Sequence, residues 1–129
     1  MNISPEELIA QRVVIGFIEP VICTTKGHKE VVRARIDSGA TNSSIDESLA
    51  NKLGVGEIIG ERTIRNAHGS TKRKIIEVTV TMAGRTLTEK FTIADRSAMR
   101  FPVLIGRNIL RKGFLIDPNK KIRRLKLDN

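Results

Sequence analysis

Hydrophobic and polar residues alternate along this chain in short runs, and turn-forming residues separate the runs. This two-residue period is typical of β-strands. Residues 13–25 form a β-rich stretch that Gly16 and Pro20 interrupt, and residues 30–37 form the next strand after a Lys-Gly-His turn. The two segments predict a β-hairpin whose second strand ends at Asp37.

Further strands and a few short helices follow from the same pattern. Strands are predicted at residues 62–67, 75–82, 86–94, 103–105, 114–116 and 122–127. Helices are predicted from Ser4-Pro5 to about residue 11, at 47–53 behind Asp46 as the N-cap, and at 108–112. Many short strands with two or three small helices predict an all-β fold, a closed or nearly closed β-barrel.

The length of 129 residues is typical of one domain. We expect residues 1–12 to form an N-terminal arm or short helix and residues 13–129 to form a single domain. The core must be largely aliphatic because the chain has no Trp or Tyr and only four Phe. With so few aromatic residues, the chain has few side chains on which nucleic-acid bases could stack, and this argues against a nucleic-acid partner.

The chain is basic, with 23 Lys and Arg against 14 Asp and Glu and a formal net charge of +9. This surplus suggests an acidic partner, such as a nucleic acid, an anionic surface or an acidic polypeptide, or simply a basic soluble protein. The densest cluster comprises Lys120, Lys121, Arg123, Arg124 and Lys126. We expect it to form a solvated strand edge rather than a phosphate-binding site.

Cysteine usage and hydropathy bear on where the protein acts. Cys23 is the only cysteine and lies in an apolar run, so we expect a buried core thiol and no intramolecular disulfide. The first residues show no signal-peptide pattern. No apolar run approaches the roughly 18 residues of a membrane-spanning helix. These features predict a cytoplasmic protein without a membrane partner.

The residues with the clearest chemical potential follow the first hairpin, at Ile36-Asp37-Ser38-Gly39-Ala40. Gly39 permits a sharp turn, which would hold Asp37 beside backbone N–H groups and the Ser38 hydroxyl. A carboxylate fixed in this way can act as an acid or base on water. An ordinary surface turn is the alternative, because Asp, Ser and Gly are common turn residues.

A second stretch, Val103-Leu104-Ile105-Gly106-Arg107-Asn108-Ile109-Leu110, is an apolar strand that ends in Gly before a short helix. In this order, the two stretches resemble those of retropepsin-like aspartic proteases. That family carries Asp-Ser/Thr-Gly-Ala and, roughly sixty to seventy residues later, two hydrophobic residues followed by Gly-Arg-Asp/Asn. The resemblance covers most of the chain. It is closest to a cellular branch labelled ATP-dependent zinc protease, with a similar Phe-Leu-Ile/Val-Asp-Pro ending, here at residues 114–118.

The resemblance implies a retropepsin-like closed barrel and an aspartic endopeptidase in which Asp37 activates water for peptide-bond hydrolysis. The family's chemistry needs two carboxylates, so a chain with one motif implies a homodimer with the site on its twofold axis. The residues that would support the catalytic turn are Ser38, Gly39, Ala40, Ile105, Gly106, Arg107 and Asn108. Ser38 would brace the paired turns across the axis, and an ion pair from Arg107 is a further expectation.

The predicted hairpin between residues 62 and 82 has a basic tip. In the resembling family the hairpin at this place is the flap, which closes over bound peptide. The substrate-binding residues of such a flap would be Ala67, His68, Gly69 and Ser70. An ordinary exposed hairpin is the alternative.

The sequence offers no recognisable metal or nucleotide site. His28, His68 and Cys23 are the only metal ligands besides carboxylates, and no His-Glu-x-x-His or Cys-x-x-Cys motif is present. Neither a Gly-x-x-x-x-Gly-Lys-Ser/Thr loop nor a Gly-x-Ser-x-Gly motif occurs. We therefore expect no cofactor. Besides the peptidase, two alternatives stay open: a non-catalytic peptide- or protein-binding module on the same fold, and a basic nucleic-acid-associated protein.

Overall fold

A computed structural model describes residues 2–121 of the chain. Within these residues, short strands dominate and three short helices interrupt them. In chain order the elements are α1 (Pro5–Ala10), β1 (Val13–Ile15), β2 (Ile18–Thr25), β3 (His28–Ile36), β4 (Ser43–Asp46), α2 (Glu47–Lys52), β5 (Gly60–Asn66), β6 (Gly69–Met82), β7 (Arg85–Ala94), β8 (Val103–Ile105), α3 (Arg107–Leu110) and β9 (Phe114–Ile116).

Six of the strands close into a barrel. Their order is β2-β3-β8-β4-β7-β6, and the ring closes where residues 22–24 of β2 pair with residues 79–81 of β6. Strand β5 pairs with the first part of β6, on the same edge that β2 occupies farther along, and β1 pairs with β9 in a separate parallel sheet. The predicted all-β closed barrel with three short helices is confirmed.

The barrel interior is aliphatic, as the composition predicted. In β2 every second residue is buried, from Glu19 to Thr25, because successive side chains of a strand point to opposite faces. Phe91 of β7 is the one fully buried aromatic ring in the part of the chain that the structure describes. Cys23 lies in this interior, and burial raises the pKa of its thiol to about 12. It is a core residue, as expected.

Pro20 does not interrupt the first strand, and this prediction was wrong. Pro20 lies inside β2, opposite Arg33 of β3. Strand β2 pairs with β6 only at residues 22–24, so the second edge of β2 is unpaired at Pro20. The missing N–H of proline therefore removes no ladder hydrogen bond on that edge.

A buried ion pair joins the two ends of the chain. The carboxylate of Glu19 is almost fully buried, accepts the Gly16 N–H at 2.7 Å and lies 2.8 Å from the Lys120 ammonium group. A buried carboxylate requires such partners because it has lost its hydration. Lys120 is thus not part of a solvated edge, contrary to the prediction. The predicted strand 122–127 lies outside the described residues.

The helices begin where the capping signals predicted. The Ser4 hydroxyl accepts the Glu7 N–H at 3.1 Å at the start of α1, and Asp46 caps α2. Helix α3 begins at Arg107, one residue earlier than predicted, and Gly113 follows it with a φ of +103°. None of the helices in residues 2–121 is long and apolar enough to cross a membrane.

Candidate active site

Asp37 begins the turn that follows β3, and its backbone is held on both sides. Its N–H donates to the Ile105 carbonyl at 2.9 Å, and its own carbonyl accepts the Ala40 N–H at 3.2 Å. The carboxylate oxygen Oδ1 accepts the Gly39 N–H at 2.9 Å. The side chain is nevertheless only half-buried. It is a fixed carboxylate with access to solvent, as proton transfer with water requires.

Gly106, at the junction of β8 and α3, supports this turn by close contact. A Cβ at this position would lie 2.6 Å from the Asn42 carbonyl carbon and 2.9 Å from the Ala40 carbonyl oxygen. The next residue, Arg107, donates its N–H to the same Ala40 carbonyl at 2.8 Å. A glycine is needed here because two backbone segments approach more closely than a side chain allows.

The Arg107 guanidinium binds the turn from outside. It donates to the Ser38 carbonyl at 3.3 Å and to the Thr41 hydroxyl at 2.9 Å. Both acceptors are neutral, so these contacts differ from the ion pair that we expected. Arg107 clamps the two ends of the turn.

Ser43 supports the turn through distant partners that the sequence did not indicate. Its hydroxyl accepts the Gly106 N–H at 2.9 Å and donates to Asn108 Oδ1 at 2.7 Å. The Asn108 amide in turn donates to the Lys90 carbonyl at 2.9 Å. Ser43 is fully buried, and this network joins β4, β7 and α3 beneath the turn. The one feature of the sequence that could have identified Ser43 is its position, a polar residue in a short strand six residues after Asp37.

The predicted flap is the hairpin of β5 and β6, and its tip is tighter than expected. Only Ala67 and His68 form the turn, and the Asn66 side chain accepts the His68 N–H at 2.9 Å. Gly69 and Ser70 already belong to β6, where they pair with Asn66 and Arg65. All four predicted flap residues are exposed, and their role in binding substrate stays a prediction.

A cleft opens at the base of this hairpin because β6 leaves the barrel there. Strand β6 pairs with β7 only from Ile75 onwards, while residues 69–75 pair with β5. The resulting flap cleft has a volume of about 350 Å³. It is lined by Glu47, Thr71, Lys72, Arg73, Lys74, Ile93, Ala94 and Asp95.

The loop between β7 and β8 is fastened beside this cleft by Asp46. The Asp46 carboxylate accepts the Arg96 N–H at 2.7 Å, the Ser48 N–H at 3.2 Å and the Ser48 hydroxyl. The Ser48 hydroxyl lowers the pKa of Asp46 below its ordinary value, burial opposes this effect, and the backbone N–H groups of Arg96, Ser48 and Leu49 lower the pKa further. The charged form of Asp46 therefore stabilises both α2 and the loop.

Replacing Asp46 with Asn should lower stability at neutral pH and have little effect in strong acid. A lowered folded-state pKa stabilises the protein fully above the unfolded value of about 4, and the stabilisation is lost as pH falls through the folded-state pKa. Asn keeps an acceptor for the cap but loses the charge, so we expect a loss of about 1 kcal/mol at pH 7. Urea unfolding at pH 7 and pH 3 measures it. Asp117→Asn is the control, because the one hydrogen bond of the Asp117 carboxylate within residues 2–121 is from the Asn119 N–H of its own turn. An equal loss at both pH values would contradict the prediction.

Metal-binding side chains are not grouped in the described part of the chain. Within residues 2–121, no set of three His, Cys, Asp or Glu side chains is arranged to hold a metal ion. His28 lies at the start of β3, His68 lies in the flap turn, and both are exposed.

Comparison with known proteins assigns the family. Residues 48–126 match the RimB-like family, described as the retropepsin-like aspartic endopeptidase RimB. The chain belongs to this family. The predicted resemblance to retropepsin-like aspartic proteases is thereby confirmed. The matched residues begin after the Asp37 turn, so the role of that turn rests on its own sequence and geometry.

Solved structures share the fold of this RimB-like chain. A protein of unknown function from Legionella pneumophila is 18% identical with a TM-score of 0.61, over 84% of this chain and 95% of that one. The Simian Foamy Virus (mac) protease is 21% identical with a TM-score of 0.52, over 71% of this chain and 91% of that one. Both comparisons concern the fold alone, and the likeness to the viral protease agrees with a retropepsin-like barrel.

A curated relative is a Shewanella pealeana protein named "Probable alpha-L-glutamate ligase". It is 24% identical over 114 residues, which cover 69% of this chain. The chain spans about a quarter of that relative's length (25%).

Proposed function

We propose that this RimB-like protein is an aspartic endopeptidase that acts as a homodimer. The observation that carries the proposal is Asp37, a half-exposed carboxylate that Gly39 and Ile105 hold at the end of a barrel strand. The family assignment supports it, because members are described as retropepsin-like aspartic endopeptidases.

The proposed chemistry uses one Asp37 from each subunit. The ionised carboxylate takes a proton from water, and the oxygen of that water attacks the peptide carbonyl carbon. The protonated carboxyl of the other subunit donates its proton to the carbonyl oxygen. Collapse of the tetrahedral intermediate breaks the C–N bond: the amine takes the proton held by the first carboxyl, and a hydroxyl proton of the intermediate returns to the second carboxylate. Ser38 braces the paired turns, and the flap excludes water from the bound peptide.

Exposed apolar residues near Asp37 are consistent with a partner subunit on that side. The Phe17 carbonyl accepts the N–H of Ile36, the residue before Asp37, yet the Phe17 ring is 54% exposed. Val14 of β1, three residues before Phe17 in the chain, is also exposed. A twofold axis close to Asp37 would bring these side chains against their symmetry copies, which would remove them from water.

The dimer should have about twice the mass of one chain in light scattering at micromolar concentration. Phe17→Ser should weaken the dimer at least about 100-fold, because the substitution removes one ring from each subunit and the burial of each ring is worth about 1.5–3 kcal/mol. Ile58→Ser is the control, because Ile58 is exposed in the loop before β5. If the protein is monomeric at every concentration tested, the mechanism in which two subunits share the catalytic carboxylates is contradicted.

The preferred substrates are proposed to be acidic peptides or proteins. The net charge of +9 favours anionic partners, and the flap cleft carries Lys72, Arg73 and Lys74 against the carboxylates of Glu47 and Asp95. The name of the curated relative also refers to glutamate.

We propose that the protein acts in the cytoplasm, because its single buried thiol requires no oxidising environment.

Hydrolysis of a mixed peptide library, with cleavage sites identified by mass spectrometry, tests this function. Cleavage should continue in the presence of EDTA, because the proposed mechanism places no metal between Asp37 and water. Loss of cleavage with EDTA and its return with Zn²⁺ would replace the aspartic mechanism with a metal-dependent one.

A further inference from the structure

A row of side chains lies beside Asp37 on one face of three neighbouring strands. Arg35 of β3 is opposite Leu104 of β8, and Leu104 is opposite Ser44 of β4. Residues paired across adjacent strands point to the same face of the sheet. Asp37 directly follows β3 and donates its N–H to Ile105, the residue after Leu104, so the row adjoins the Asp37 turn. We call Arg35, Leu104 and Ser44 the subsite row.

Arg96 extends the row from the loop between β7 and β8. Its guanidinium donates to the Ser44 hydroxyl at 3.3 Å and to the Phe101 carbonyl at 3.1 Å. Burial lowers the pKa of Arg96, the charge of Asp46 opposes this effect, and the positive charges of Arg73 and Arg35 lower the pKa further. The charges of Arg35 in β3 and of Arg73 in the flap stem, the part of β6 that pairs with β5, thus both act on the Arg96 guanidinium.

No carboxylate in the described residues forms an ion pair with these three arginines, although the charge of Asp46 acts on Arg96 from a distance. The ion pairs within residues 2–121 are Lys52–Glu30, Lys112–Glu89 and Lys120–Glu19, and none includes Arg35, Arg73 or Arg96. The Asp46 carboxylate bonds the backbone of Arg96 rather than its guanidinium. An anion placed among them would convert mutual repulsion into attraction.

We propose that Arg35 and Arg96 form a specificity subsite for a substrate carboxylate beside the scissile bond, with Arg73 of the flap stem closing over it. An extended peptide crossing Asp37 directs every second side chain towards this face. Guanidinium groups bind carboxylates through paired, charge-assisted hydrogen bonds, and Leu104 contacts the aliphatic part of a Glu side chain. The inference rests on the proposed function and adds the residues that select the substrate.

The test uses the Asp37→Asn protein, so that peptides bind without being cleaved. The probes are a fluorescent peptide with consecutive Glu residues and the same peptide with Gln instead. The Glu peptide should bind at least about tenfold more tightly, because hydrogen bonds between charged groups are stronger than those of the neutral Gln amide. Adding Arg35→Gln to this protein should lower the ratio of the Glu-peptide affinity to the Gln-peptide affinity about tenfold.

The matched control is Arg33→Gln in the same Asp37→Asn background. Arg33 is exposed on the same face of β3 as Arg35, two residues farther from Asp37 and opposite Pro20 rather than Ile18. We expect it to leave the Glu preference unchanged. Equal losses in the two variants would show a general charge effect and overturn the subsite, as would equal binding of the Glu and Gln peptides.

Two further outcomes separate the subsite from the peptidase itself. If a single-stranded oligoribonucleotide binds more tightly than the Glu peptide, and Arg35→Gln removes that binding, the row is a phosphate site and the proposal fails. If the preference for the Glu peptide depends on Arg35 but the parent protein cleaves no peptide, the carboxylate-binding subsite is supported and the peptidase function is rejected. Thermal unfolding of each variant establishes that it is folded.

Discussion

Asp37→Asn is expected to abolish peptide hydrolysis while leaving the fold and the proposed dimer intact. Asn has nearly the size of Asp and keeps the oxygen that accepts the Gly39 N–H. It cannot take a proton from water or share one with its symmetry mate, and the loss of such acid–base catalysis slows a reaction about 10²–10⁴-fold. Two carboxylates pressed together also repel, so the variant dimer should be at least as stable as the parent.

The measurement is hydrolysis of a mixed peptide library by both proteins, from acid to neutral pH. Asp117→Asn is a matched control, because Asp117 makes the same kind of turn: its Oδ1 accepts the Asn119 N–H at 2.9 Å. That variant should cleave at the parental rate. If Asp37→Asn cleaves as fast as the parent, Asp37 is not the catalytic carboxylate.

The same experiment distinguishes the peptidase from its main alternative. If the parent and Asp37→Asn both bind the same peptides and neither cleaves them, the protein is a peptide-binding module on a retropepsin-like barrel. A fold alone does not guarantee chemistry, so this outcome is compatible with the family assignment.

The sequence predicted the fold well because its signals are local. Strand alternation, the Ser4 and Asp46 caps, and the glycine after α3 each depend on residues within a few positions of one another. The Asp37 turn was also predictable, because its hydrogen bond to Gly39 spans two residues. The resemblance to a family then supplied the pairing of this turn with Gly106, which is distant in sequence.

Features that depend on distant pairing could not be predicted in this way. Glu19 and Lys120 lie at opposite ends of the described chain, and nothing near either residue indicates the other. Ser43 is one of several polar residues after the turn, and only the packing of α3 shows that it receives the Gly106 N–H. In the sequence nothing distinguishes Arg35 from the other basic residues, and only the pairing of β3 with β8 shows that it lies opposite Leu104.

The exact flap tip was missed for a different reason. Residues 68–71 are small or polar, a composition that fits either a long loop or the end of a hairpin. The structure selects the shorter turn because Asn66 accepts the His68 N–H and Gly69 takes a positive φ, which lets β6 pair with β5 at once.

Gly106→Ala is expected to destabilise the protein severely. The added methyl group would overlap the Asn42 carbonyl and approach the Ala40 carbonyl oxygen at 2.9 Å, and both are backbone groups. A flexible side chain could move aside at little cost, but here the turn that holds Asp37 must move. We expect a loss of about 3 kcal/mol, the upper part of the range for an overpacked core, or about 10 °C in melting temperature. Thermal and urea unfolding measure this loss.

Gly56→Ala is the matched control for that result. Gly56 also has a negative or extended backbone, and a Cβ there would meet only the end of the Lys26 side chain at 4.0 Å. Its stability should stay within about 0.5 kcal/mol of the parent. Any Gly106→Ala protein that remains folded should lose hydrolysis more than peptide binding, since the displaced turn carries Asp37 while the subsite row lies on strands. Parental stability and activity in Gly106→Ala would show that the turn does not depend on this close contact.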